Sequence, residues 1–149
     1  MPDQTDAVIV NHVGLCVTDL DRSRRFYIDV LGFVFDRELQ PPDEPTGQLL
    51  SLEAPVGLTA VYLSRGSFVL ELLHFDRPGN PPAPVRPFDE PGLTHLSFSV
   101  EDMAGAVALV PLRGGQVVSE VMGAVVVRDP DGQVLELLPM AYRRTLLTN

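Results

Sequence analysis

The sequence predicts an α+β protein built from two copies of one strand–helix–strand–strand–strand unit. Two observations carry that expectation. The first is an internal repeat: Asn11-His12-Val13-Gly14-Leu15-Cys16-Val17-Thr18-Asp19-Leu20 resembles Thr94-His95-Leu96-Ser97-Phe98-Ser99-Val100-Glu101-Asp102-Met103 at an offset of 83 residues. A second match, Ser67–Leu73 with Gly132–Leu138, has an offset of 65, so the later copy is 18 residues shorter. Identity is low, and what repeats is the order: strand with His, helix, strands, strand with Glu. The second observation is the segment 76–92, with prolines at 78, 81, 82, 84, 87 and 91. Each removes a backbone donor and fixes φ, which excludes helix or central strand and marks an extended crossover. The expected division is a first unit at 8–75, a linker at 76–92 and a second unit at 93–140, together one domain.

In the first unit, Val8–Val17 alternates and is rich in β-branched residues, which predicts a strand. Asp19 or Asp21 caps the helix that follows. Phe26, Tyr27, Val30 and Leu31 give it one apolar face, and Gly32 ends it. Phe33–Leu39 reads as the second strand, and Gln40–Gly47 as a proline-rich loop. Leu49–Leu52 and Thr59–Leu63, broken around Pro55-Val56-Gly57, cover the third strand region. Ser67–Phe75 is the fourth strand, entered through Arg65-Gly66.

The second unit repeats the pattern. Leu93–Val100 is a strand, and Asp102 caps a helix running to about Arg113. Pro111 would cost about 3 kcal/mol in a regular helix interior, so a kink or early end is expected there. Gln116–Val121 and Ala124–Arg128 are strands, Asp129-Pro130-Asp131-Gly132 is a turn, and Val134–Pro139 closes the unit. Residues 141–149 form a tail that the pattern does not place; Arg143 and Arg144 read as solvated.

Composition narrows the function. With 45% apolar and 21% charged residues, the chain is an ordinary globular one, able to build a core without staples. Cys16 is the only cysteine, which excludes an intrachain disulfide and favours a reducing compartment. A net charge of −9 argues against a nucleic-acid partner. The N-terminus lacks the basic and apolar regions of a signal peptide, and no apolar run is long enough to cross a bilayer. The expectation is a cytoplasmic protein with no membrane partner.

Strand parity then isolates the chemistry. His12, Gly14 and Cys16 share one face of their strand, while Val13, Leu15 and Val17 share the other. His95, Ser97 and Ser99 oppose Leu96, Phe98 and Val100 in the same way. The apolar sets belong on the core. The histidine faces are small and weakly polar, leaving room for something that is not protein. Glu71 and Glu136 lie inside strands among leucines, where an unpaired carboxylate is costly, and a cation is the obvious partner. Two histidines and two carboxylates suit a divalent Zn, Ni, Co, Mn or Fe ion. His74 has no counterpart, since Pro139 stands at its repeat position, and reads as a surface or linker contact. Cys16 reads as a small packed residue, and Phe26, Tyr27, Phe33, Phe35, Phe68 and Phe98 as mostly core.

These residues resemble the glyoxalase / bleomycin-resistance / dioxygenase (vicinal oxygen chelate) superfamily. The resemblance rests on His12–Ser23, Phe26-Tyr27 and Val30–Phe33 in the first unit. In the second it rests on Leu93–Phe98 and on Asp129–Gly132 through Leu135-Glu136-Leu137. It implies two βαβββ units forming a curved eight-stranded mixed sheet around a metal site. It implies His12, Glu71, His95 and Glu136 as metal ligands, with Glu136 and Glu71 as catalytic bases and no organic cofactor. The implied activity is a lyase or isomerase reaction on a small α-oxo or α-hydroxy carbonyl compound through a metal-stabilised enediolate. The alternatives are an extradiol-type dioxygenase using His12, His95 and Glu136, or a ligand-sequestering resistance protein. Glutathione-using relatives carry Arg four residues after the first His and Asn four after the first Glu; here those positions are Cys16 and Phe75. The resemblance also implies a homodimer, with the site either within one chain or across the interface.

Overall fold

The computed structural model describes residues 8–77 and 84–147. The middle of the expected linker, 78–83, lies outside the described residues. The chain runs β1(Val13–Cys16), α1(Leu20–Leu31), β2(Val34–Leu39), α2(Asp43–Leu50), β3(Leu58–Arg65), β4(Phe68–Phe75), then β5(Leu96–Val100), α3(Met103–Leu112), β6(Gln116–Val121), β7(Ala124–Arg128), β8(Val134–Pro139) and α4(Met140–Leu147). The eight expected strands form two four-stranded mixed sheets, ordered β1-β4-β3-β2 and β5-β8-β7-β6. β1 pairs with β4, and β5 with β8, in parallel: α1 or α3 returns the chain so that the next strand runs with the first, and two antiparallel reversals then restore that direction. The other pairs are antiparallel.

The helix signals act as their chemistry requires. The Asp19 carboxylate accepts from the Arg22 N–H, 2.9 Å away, and Gly32 takes φ 70°, a left-handed cap open to glycine at little cost. Asp102 caps α3 through the Gly105 N–H. α3 closes at Leu112, one residue beyond Pro111, where the Arg113 and Gly115 N–H groups bond back to Leu109 and Val110. Pro111 thus stands inside the helix, within its last turn, and the expected early end is not seen.

Three expectations are corrected. Residues 8–12 are not strand: Val8, Ile9 and Val10 are exposed, because β4 offers backbone partners only from Val13 onward. Gln40–Gly47 and Leu49–Leu52 are largely helix α2. Pro45 sits in its first turn, where no intrahelical N–H bond is lost, so the proline does not forbid it. The unplaced tail continues from β8 into α4, where the Tyr142 hydroxyl donates to the Met122 carbonyl at 3.3 Å. Among the described residues, no helix is long and apolar enough to cross a membrane.

One core serves both units. It joins Leu15, Val61, Leu63, Leu70 and Leu72 of the first sheet, with Val17 just after β1, to Val125, Val127, Leu135 and Leu137 of the second, through Phe26, Tyr27 and Val30 of α1 and Ala106 and Val110 of α3. Phe33, Phe68 and Phe98 meet edge to face across the two units. Each such side chain fully buried contributes roughly 1.5–3 kcal/mol. Phe35 departs from the expected core set: it stays 39% exposed, beneath the Arg24 guanidinium.

A polar clasp completes the joint. The Tyr27 hydroxyl, buried in α1, donates to Asp129 Oδ2 at 2.7 Å, while the Asp131 and Gln133 N–H groups hold Oδ1. Burial raises the Asp129 carboxyl above its ordinary range, and these hydrogen bonds pull against that shift. Asp131 accepts from the Thr18 backbone and hydroxyl and from Ser23. The turn Asp129–Gly132 of one unit thereby caps the start of the helix in the other.

Candidate metal centre

The core orients the candidate site by parity. Leu15, Leu70, Leu72 and Leu63 point into the shared core, so Gly14, Glu71 and Tyr62 face away from it. His12 lies one residue before β1 on that outward face. Its Nε2 is 2.9 Å from Glu71 Oε2, and its Nδ1 is 2.6 Å from the Asn11 side-chain oxygen. The Tyr62 hydroxyl donates to Glu71 Oε1 at 2.7 Å, and the rings of Tyr62 and His12 meet edge to face. Desolvation, the bond to Glu71 and the Glu71 charge all push the Tyr62 phenol up, so it stays a donor, while Arg37 pulls the other way.

The second unit repeats the arrangement with different supports. His95 lies one residue before β5. Its Nε2 is 4.0 Å from Glu136 Oε1, and its Nδ1 is 2.8 Å from Thr94 Oγ1. Ser97 Oγ donates to Glu136 Oε1 at 2.8 Å. Val126 stands opposite Glu136 where Tyr62 stands opposite Glu71. The Phe88 ring of the linker packs against His95 with centroids 5.4 Å apart.

The four expected ligands thus form two His–Glu pairs. In each pair one ring nitrogen is engaged by a neighbouring oxygen and the other faces the carboxylate, the orientation a metal-binding imidazole needs. The pairs do not meet: among the described residues no group of three or more His, Cys, Asp or Glu side chains could hold a metal ion. Each pair sits on the outward face of its own sheet, and the shared core lies behind both.

The remaining candidates fall elsewhere. Cys16 is exposed, and partial desolvation together with the Asp131 charge raises its thiol, the reverse of an activated nucleophile. His74 is half-buried on the parity of Leu70 and Leu72, opposite Thr59, and on the other face from Glu71. Arg143 is exposed on α4, and the Arg144 side chain lies outside the described residues. A cavity of about 320 Å³ lies between Gly14–Cys16, the linker around Phe88 and the turn at Asp131, but neither glutamate lines it. Tyr62 belongs to no motif in the sequence. Its only sequence signal is an outward parity in a strand whose register is set by tertiary pairing.

Residues 9–137 match the model of the Glyoxalase/Bleomycin resistance protein/Dioxygenase superfamily. The chain belongs to this superfamily. Over 101 residues it is 36% identical to the uncharacterized protein YaeR of Escherichia coli (strain K12), a match covering 66% of each chain. It is 29% identical over 150 residues to a probable lactoylglutathione lyase of Synechocystis, covering 89% of this chain and 96% of that protein. Among solved structures it is similar to the trypanothione-dependent glyoxalase I of Leishmania major, with a TM-score of 0.67 and 26% identity over 91% of this chain and 89% of that one.

Proposed function

We propose that this superfamily member is a metal-dependent, homodimeric enzyme of the glyoxalase type. It would act as a lyase or isomerase on a small α-oxo or α-hydroxy carbonyl compound. The observation that carries this reading is the pair of outward-facing His–Glu couples. Each couple supplies one nitrogen and one oxygen donor, and a four-donor N/O site needs both. The chemistry fits a divalent cation: each imidazole turns Nε2 toward its carboxylate, and Glu71 is only 12% exposed at its side chain, so a cation there would offset its desolvation. Since one chain keeps its couples apart, a second copy would supply the missing half, so that His12 and Glu71 meet His95 and Glu136 of another chain.

A bound ion supplies positive charge beside two neighbouring substrate oxygens, which favours loss of the proton from the adjacent carbon. The two glutamates differ in freedom. Both oxygens of Glu71 are engaged, by Tyr62 and His12. Glu136 is held through Oε1 alone, and among the described residues its Oε2 accepts no hydrogen bond. Glu136 is therefore the better-placed base to move the proton, with Glu71 as ligand and second base. Lack of the arginine and asparagine anchors at Cys16 and Phe75 supports a substrate other than a glutathione adduct.

Metal analysis of purified wild-type protein and the His12→Ala variant tests this reading. About one divalent ion per chain, lost in the variant, is expected; no metal after reconstitution under reducing conditions would overturn it. Fe as the bound metal, with O₂ uptake, would replace the lyase reading by a dioxygenase one. Glu136→Gln should abolish turnover while leaving the fold intact, and unchanged turnover would remove Glu136 as the base.

A further inference from the structure

A row of side chains crosses the outward face of the first sheet in register. Arg37 on β2 stands opposite Tyr62 on β3, Tyr62 opposite Glu71 on β4, and Glu71 opposite Gly14 on β1. Directly opposite residues share a face, so these four side-chain positions form one line. An irregularity between Phe35 and Arg37 shifts the register and brings Arg37 into it. The guanidinium lies over the Tyr62 ring, its Cζ 4.9 Å from the centroid, while the Tyr62 hydroxyl donates to Glu71.

The second sheet has the same construction and different chemistry. Its row reads Ser119, Val126, Glu136 and Ser97, again after a register shift, between Val117 and Ser119. Half of the proposed centre is therefore neutral beyond its ligands, and the other half carries a cation. That cation is not consumed by structure. Its ion pair is with the adjacent Asp36 at 3.8 Å, both side chains being more than half exposed, and such pairs hold weakly. The Tyr62 ring face holds the guanidinium in place, and the guanidinium carries more N–H donors than its Nε pair with Asp36 uses. Gly14 keeps the other end of the row low: a Cβ there would sit 3.6 Å from Glu71 Oε2 and fill space beside it.

We propose that Arg37 is a specificity-determining residue that binds a carboxylate on the substrate. On the reading under Proposed function, the substrate's two neighbouring oxygens lie at the His12–Glu71 couple. Arg37 starts two strands away, about 10 Å at the backbone, and leans back over Tyr62 toward Glu71. That span fits a carboxylate two or three carbons from the chelating oxygens. A single guanidinium matches a single carboxylate. A phosphate dianion would call for a second cation, and neither Tyr62 nor Glu71, its neighbours in the row, supplies one. The substrate class is thus a short α-oxo or α-hydroxy carbonyl compound with a distal carboxylate.

The test is calorimetric binding of two hydroxamates to the Ni-loaded full chain. Acetohydroxamate presents only the vicinal oxygens, and succinic monohydroxamate adds a carboxylate two carbons away. Wild type is expected to bind the second about ten- to a hundredfold more tightly, the range of a charge-assisted hydrogen bond. Arg37→Gln should erase that advantage while acetohydroxamate binding stays within about twofold, and Arg37→Lys should restore part of it. Equal affinity of the two ligands in wild type, or an advantage that survives in Arg37→Gln, overturns the assignment. If neither hydroxamate binds the loaded wild-type protein, the chelation reading falls and takes this one with it. Acetohydroxamate alone separates the two failures.

Discussion

The proposed sharing of the metal centre between two copies makes a prediction that a site complete within one chain does not. The perturbation is a mixture of two defective chains, Glu71→Gln and Glu136→Gln. In a two-fold dimer, each composite site takes His12 and Glu71 from one copy and His95 and Glu136 from the other. A dimer of either variant alone then carries one lesion in each of its sites. In a mixed dimer both lesions fall in one site, and the other site is wild type. Random re-association of equal amounts gives about half mixed dimers, hence about a quarter of the wild-type sites. On the proposed site each lesion removes a ligand, which should cost more than the roughly 10–100-fold loss in affinity typical of an outer-shell partner. Titration calorimetry with Co(II) after joint unfolding and refolding would resolve these populations. The expected result is no tight site in either parent and about 0.25 of the wild-type stoichiometry in the mixture. A mixture that binds no more tightly held metal than its parents would refute the composite site.

Tyr27→Phe leaves Asp129 Oδ2 buried without its donor and should cost about 1–3 kcal/mol at neutral pH. The folded Asp129 carboxyl is already raised above the unfolded one, so its ionisation costs stability as pH rises through that window. The variant loses a bond that held this group down, so its deficit should shrink in urea titrations near pH 4; a deficit independent of pH would be the contrary result. Tyr62→Phe should weaken metal binding about tenfold by freeing Glu71 Oε1, with little change in melting temperature; unaltered affinity would deny Tyr62 its positioning role. Gly115→Ala should cost about 1–3 kcal/mol or more in chemical denaturation, because the new Cβ would come 2.6 Å from both the Arg128 carbonyl oxygen and the Phe26 ring. A variant as stable as wild type would show that the close approach can relax.

The sequence by itself determined what depends on local period and chemistry. Alternation set His12, Gly14 and Cys16 opposite Val13, Leu15 and Val17, and His95, Ser97 and Ser99 opposite Leu96, Phe98 and Val100, because side chains reverse face at each residue whatever the fold. Asp19, Gly32, Asp102 and the turn at Asp129 were legible for the same reason: caps and turns are satisfied within a few residues. Where local signals compete, the local pattern alone does not decide the structure. The prolines around Gln40–Gly47 spoke for a loop, yet Pro45 falls in the first turn of α2, the one place a helix tolerates it. Val8, Ile9 and Val10 are β-branched, as strand residues often are, but a strand exists only where a neighbour supplies hydrogen bonds. Tertiary structure alone decided that Tyr62 would meet Glu71 while Ser97 met Glu136, since register is set between strands, not within them. It also decided that the two His–Glu couples turn outward from a common core and stay apart. The physical reason is that apolar burial is non-directional: the sequence specifies which faces must be covered, and only the packing of α1 and α3 between the units settles what covers them.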